Sequence, residues 1–196
     1  MTMSKTRILL VDVARQLFAK NGVDATTMND IALASKKGRR TLYTYFKSKE
    51  DIYWAVIESE LERLSQEMRK VAVKKISPDE KILELIYTRL NIVKEAVFRN
   101  GTLRASFFRD IWTVEACRKN FDKNEILLYE NVLTEGKECG MFDIDNVPFV
   151  ARILHYSIKG IEIPYIRGLI ANGVSGEEIK SNVMKLVYGA LGRKAY

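Results

Sequence analysis

Six cations crowd into residues 36–49: Lys36, Lys37, Arg39, Arg40, Lys47 and Lys49. Tyr43, Tyr45 and Phe46 stand among them, with Thr41 and Thr44 interleaved. The chemistry open to such a set is the gripping of a polyanion. Lysine and arginine neutralise phosphates, and tyrosine and threonine hydroxyls hydrogen-bond to them. Arginine also presents paired donors that match the edge of guanine, and a threonine methyl suits the methyl of thymine.

Other chemistries are poorly supplied. His155 is the only histidine, so any Ser-His-Asp or Cys-His site must be built around it. It sits in a helical pattern beside Leu154 and Tyr156, where a packed or pocket-lining role outweighs a catalytic one. The two cysteines, Cys117 and Cys139, are 22 residues apart and make neither a disulfide framework nor a zinc site. Neither G-x-x-x-x-G-K-[ST] nor G-x-G-x-x-G occurs. The acids Glu177 and Glu178 stand at a helix start, where the helix dipole accounts for them. The expectation is a chain that is not an enzyme, with no catalytic residue, no metal and no cofactor. No signal peptide is visible, because Asp12 and Arg15 interrupt the apolar residues 8–14, and no stretch suits a bilayer. The expected address is the cytoplasm, without membrane contact.

Charge distribution strengthens the polyanion reading. The 196 residues carry a net charge of +7. Residues 1–50 hold ten Lys+Arg against four Asp+Glu, while residues 51–196 hold 22 against 21. A basic head on a near-neutral body points to a nucleic-acid partner. Hydrophobic residues make up 47% of the chain, enough for a substantial core.

The elements that must position these residues read as helices throughout. Ile8, Val11, Ala14, Leu17 and Phe18 mark a first helix over 4–20, stopped at Asn21-Gly22. Thr27 with Asp30 caps a second, Lys36-Lys37-Gly38 makes a turn, and residues 39–45 form a third. Ser48 with Asp51 opens a fourth that reaches about residue 73, with Ile52, Ala55, Val56, Ile57, Leu61, Leu64 and Met68 as its buried stripe. Ser77-Pro78-Asp79-Glu80 starts a fifth that runs to residue 99. Further helices are expected over 102–112, 115–138, 146–171 and 175–193, nine in all.

Residues 10–56 closely resemble the DNA-binding region of TetR-family transcriptional regulators. The family pattern A-x-x-L-F-x-x-x-G is met by Ala14, Leu17, Phe18 and Gly22. Its T-T-x-x-x-I-A is met by Thr26, Thr27, Ile31 and Ala32. Its T-L-Y-x-Y-F-x-x-K-E is met by Thr41, Leu42, Tyr43, Tyr45, Phe46, Lys49 and Glu50. The chain departs from the family in the turn, where A-G-V-S is replaced by Ser35, Lys36, Lys37 and Gly38. Lysine then stands where glycine takes a left-handed conformation, and glycine stands where serine caps the recognition helix.

The resemblance implies an all-α fold: a three-helix helix-turn-helix DNA-binding domain at 1–47, then a larger helical effector-binding and dimerisation domain at 48–196. It implies a dimeric repressor that leaves its double-stranded operator when a small molecule binds. Thr27, Tyr43 and Lys49 match phosphate-holding positions, and Arg39, Arg40, Thr41 and Thr44 match groove-facing ones. Lys36, Lys37 and Tyr45 add charge and a hydroxyl beside them. An unknown hydrophobic or amphipathic effector is expected among Tyr87, Phe107, Phe108, Trp112, Tyr129, His155, Tyr156 and Tyr165. A homodimer is expected through the last two helices, whose apolar residues include Val150, Ile153, Leu154, Ile158, Ile161, Ile179, Val183, Leu186, Val187, Ala190 and Leu191. Gly160, Gly189 and Gly192 there allow close approach. The competing reading keeps the DNA-binding head but gives the second domain a protein partner, as a DNA-bound adaptor or architectural protein.

Overall fold

The first helix begins where the Ser4 hydroxyl accepts the Arg7 amide and ends where Gly22, at φ 89°, turns the chain away. The computed structural model describes residues 4–99, 111–170 and 173–192, the side chains of 111–118 excepted. Its described residues form eight α-helices and no strand: α1 (Lys5–Asn21), α2 (Met28–Ala34), α3 (Arg39–Tyr45), α4 (Lys49–Ala72), α5 (Pro78–Arg99), α6 (Ile111–Glu138), α7 (Val147–Ile166) and α8 (Gly176–Ala190). The sixth expected helix, over 102–112, falls mainly on 100–110, outside the described residues.

Local chemistry sets most helix starts. Thr27 and Asp30 form a reciprocal capping box on α2. Ser48 and Asp51 do the same for α4: the Ser48 hydroxyl accepts the Asp51 amide, and the Asp51 carboxylate accepts the Ser48 amide. Pro78 occupies the first position of α5, and Glu80 reaches back to the Ser77 amide and hydroxyl. Asn146 and Ser175 cap α7 and α8. Such caps are each worth about 1 kcal/mol.

The chain forms two compact units: residues 1–63 with 95–119, and residues 64–94 with 120–196. In the first, Leu10, Ala14 and Phe18 of α1, Ile31 of α2, Leu42 of α3 and Ile52 and Val56 of α4 are wholly buried. In the second, the core joins Met68, Ile82, Leu85, Tyr129, Leu133, Ala151 and Ile158. The expected stripe of α4 is buried at every position.

Helix ends departed further from expectation. α7 stops at Ile166, short of residue 171, because Gly168 takes φ 71° and closes a Schellman cap. Its amide donates to the Tyr165 carbonyl, and the Leu169 amide donates to that of Pro164. α8 likewise stops at Ala190 rather than near 193. The turn between α2 and α3 uses the same cap. The Lys36 amide donates to Leu33 and the Lys37 amide to Ala32, with Lys36 at φ 53°. Lys36 is the only non-glycine among the described residues with positive φ.

Two stability predictions follow from these turns. A side chain in the left-handed region costs about 1–2 kcal/mol, and glycine's extra freedom in the unfolded chain takes back about 0.5–1. Lys36→Gly is therefore expected to raise unfolding stability by up to about 1 kcal/mol in urea titrations. Gly136, inside α6, lies flat against the Phe142 ring, and a methyl there overlaps that ring. Overpacking of about 1–3 kcal/mol outweighs a helix-propensity gain of about 1. Gly136→Ala is thus expected to lower the urea midpoint; a rise would show that the ring moves aside freely.

Candidate nucleic-acid interface and a buried ionic cluster

α3 has only seven residues, so its orientation is set by what it buries. Leu42 is wholly buried and Phe46 is 3% exposed, with the Arg7 guanidinium 5.2 Å over the Phe46 ring. That anchor turns Arg39, Arg40, Tyr43 and Thr44 to solvent. Arg39 and Tyr43, like Arg40 and Thr44, are one helical turn apart and share a face. Lys36 and Lys47 are exposed at either end of α3, while Lys37 and Thr41 are half-buried.

Several expected contact groups have work within the chain. The Thr44 hydroxyl donates to the Arg40 carbonyl at 2.9 Å, which leaves its methyl and oxygen lone pairs for a partner. Thr27 donates both its amide and its hydroxyl to Asp30, and those bonds hold the Asp30 carboxyl below its usual range. The Lys49 ammonium donates to the Val23 carbonyl at 2.8 Å and to that of Asp24 at 3.3 Å. It ties α4 to the α1–α2 turn and has one donor left. The Tyr45 and Ser4 hydroxyls are 3.0 Å apart. Tyr43, 44% exposed, is the tyrosine that stands out from the surface.

The second unit separates the residues expected to meet an effector. Tyr129 and His155 are wholly buried, Tyr87 and Tyr165 half-buried, and Tyr156 exposed. The Tyr165 hydroxyl donates to Asn91 at 2.7 Å. The hydroxyls of Tyr87 and Tyr129 are buried without a hydrogen-bond partner among the described residues. Phe107, Phe108 and the side chain of Trp112 lie outside the described residues.

His155 belongs to a constellation that the sequence reading missed. Its Nδ1 is 3.2 Å from Glu125 and its Nε2 is 3.5 Å from Asp122. Arg89, 1% exposed, pairs with Glu125 and Glu162, and Lys159 donates to Asp122 at 2.7 Å. Burial pushes the Asp122 carboxyl up, but His155 and Lys159 outweigh it and hold it at about 2. Burial likewise opposes ionisation of Glu125, yet the Arg89 charge and then His155 bring it below its usual range. Burial, and after it the Glu125 charge, drives the Tyr129 phenol well above its usual range. A signal was present in the sequence: Arg89, Glu125 and Glu162 interrupt apolar stripes at helical spacing, beside Leu85 and Ile86, Tyr129 and Val132, and Ile158 and Ile166.

The expected dimer residues also divide. Ile158 and Leu191 turn into the core, and Gly192 packs against Asp143 of its own unit. Phe149, Ile153, Tyr156 and Ile163 of α7 are exposed, as is Leu186 of α8. No neighbouring atom lies within 4 Å of where a Cβ would stand on Gly160 or Gly189.

Comparison with known proteins agrees with the geometry of the first unit. Residues 10–56 match the family described as bacterial regulatory proteins, tetR family. The transcriptional regulator QacR of Staphylococcus aureus is 26% identical over 155 residues, covering 78% of this chain and 81% of its own. A TetR/AcrR-family transcriptional regulator from Thermobifida fusca, solved as a crystal structure, is 25% identical with a TM-score of 0.68, covering 98% of this chain and 100% of its own. FadR of Bacillus subtilis, solved in complex with stearoyl-CoA, shares the fold at 18% identity and a TM-score of 0.66, covering 93% of this chain and 98% of its own. Residues 10–56 of this chain are thus a helix-turn-helix domain like that of the bacterial regulatory proteins of the tetR family, set in an all-helical fold that such regulators share.

Proposed function

We propose that this chain is a homodimeric repressor whose residues 1–47 hold operator DNA and whose residues 48–196 pair the two copies and bind a small hydrophobic or amphipathic effector. The observation that carries the DNA half is the outward face of α3, with Arg39, Arg40, Tyr43 and Thr44 held by the burial of Leu42 and Phe46. The arginines read base edges. Tyr43 and the lysines hold phosphates.

One short recognition helix buries too little surface for a specific site, so two copies act together. The exposed residues Phe149, Ile153, Tyr156, Gly160 and Ile163 support that reading. They recur at alternating intervals of four and three along α7, the spacing of a helix-packing seam. Leu186 of α8 adds to the apolar surface. Effector release is a shift in population: the ligand favours a dimer whose heads are wrongly spaced for DNA. A protein of this fold from Bacillus subtilis is solved with stearoyl-CoA, which supports a small-molecule ligand for the second domain.

Selection of bound duplexes from a random pool, followed by titration at two salt concentrations, tests the DNA half. Arg39→Ala or Arg40→Ala should relax the preference at one position per half-site, at about 1–3 kcal/mol per lost paired contact. Tyr43→Ala should weaken every duplex alike. Equal losses on selected and scrambled DNA for both arginine variants would remove them as readers. Ile153→Glu, which sets like charges against each other across the proposed seam, should yield monomers in sedimentation and lose half-site cooperativity. A dimer undisturbed by it would move the interface elsewhere.

A further inference from the structure

Three carboxylates, Asp122, Glu125 and Glu162, face two permanent cations, Arg89 and Lys159, inside the second unit. His155 stands among them, wholly buried. With a neutral imidazole the set carries one negative charge too many. With a doubly protonated one it balances. Ion-pair distances point the same way, with neither ring nitrogen held by a hydrogen bond among the described residues. Each nitrogen of His155 faces a carboxylate oxygen, Nδ1 that of Glu125 and Nε2 that of Asp122. A neutral ring donates from one nitrogen and leaves the other's lone pair pointing at a carboxylate.

We propose that this cluster is a proton-operated lock: one proton on His155 ties α6 to α7, and its loss leaves a buried carboxylate uncompensated and loosens the packing of α5, α6 and α7. The groups facing the ring come from all three helices. α5 supplies Arg89, which shares Glu125 with the imidazole. α6 supplies Asp122, Glu125 and the Tyr129 phenol, whose burial keeps it neutral. α7 supplies Lys159 and Glu162, and the Tyr156 ring packs edge-on to the imidazole at 5.0 Å. Neighbouring positive charges hold the Asp122 and Glu125 carboxyls below their usual range and burial holds the Tyr129 phenol above its own, so the proton on His155 decides the balance.

The direction of the effect is fixed. Burial by itself favours the neutral ring, but Asp122 and Glu125 outweigh it and raise His155 above the ordinary 6.5. A group raised on folding gives its full stabilisation below the unfolded value and loses it as pH climbs through the folded one. The lock is closed below the ordinary histidine value and opens as pH climbs above it, through the raised folded value. It needs no effector and stands apart from the effector reading above.

His155 is the sole histidine, so its imidazole carbon-bound proton signals in the full chain have one source. Titration by NMR between about pH 5 and 9.5 should give a midpoint above 6.5. Unfolding in urea should lose stability over the same window, by about tenfold in the folding constant per unit of pH beyond the unfolded value. The difference between wild type and His155→Gln should carry that dependence. Asp122→Asn removes one carboxylate and keeps the ring, so two carboxylates then balance two cations; its midpoint should fall by about one unit or more. That variant decides the matter where His155→Gln does not fold. A midpoint at or below 6.5, an unmoved midpoint in Asp122→Asn, or the same alkaline slope in His155→Gln as in wild type would each overturn the lock.

Discussion

A seven-residue helix does not hold its shape alone in water, where isolated helices need about 12–15 residues. The outward face of α3 therefore depends on two buried side chains, Leu42 and Phe46. Leu42 and Phe46 are buried as α3 packs on α2, with Arg7 of α1 over the Phe46 ring, and that burial decides which residues look outward. Around that anchor every strut is short and polar: the box of Thr27 and Asp30, the Lys49 ammonium on Val23 and Asp24, and the paired hydroxyls of Ser4 and Tyr45. Thr27 and Lys49, expected at phosphates, thus also hold the head in shape. Substituting them alters form and contact together, which is why Arg39, Arg40 and Tyr43, exposed on α3, are the cleaner probes.

The second unit is organised by the opposite situation. A guanidinium in a core obliges its surroundings to answer with carboxylates, because an unpaired buried charge is far costlier than a buried leucine is helpful. Arg89 is answered by Glu125 and Glu162, and Glu125 and Asp122 in turn call for a positive imidazole. Helices α5, α6 and α7 each supply part of one shared charge balance. Such a set makes the unit responsive to solution conditions in a way that the apolar core around Ile82, Leu85 and Leu133 is not.

What could be read from the sequence was what is local. Thr27 with Asp30, Ser48 with Asp51 and Pro78 after Ser77 act within one turn, so their helix starts were legible. So was the left-handed position taken by Lys36, once the motif around it placed the turn. Helix ends were harder. Gly168 and Gly173 are both credible stops, and only folding decides that Gly168 takes the cap. Non-local partners were out of reach: Lys49 meets a carbonyl 26 residues away, and Arg89 a carboxylate 36 away. Ile158 and Leu191 were read as interface and lie in the core, because α7 and α8 are apolar on more than one face and periodicity does not name the face that meets another copy. The ionic cluster went unseen for another reason. Charged residues on apolar stripes do not name their partners from sequence, although Arg89 and Glu162 keep the spacing of buried positions.

The contact between Ser4 and Tyr45 has a practical bearing. The polypeptide enters its first helix within one hydroxyl–hydroxyl contact of the recognition helix. A charged affinity tag at the amino end is joined to a helix whose cap touches α3, so its charge adds to or screens that of Arg39 and Arg40. Dissociation constants taken from amino-terminally tagged material would then report the tag as well as the protein.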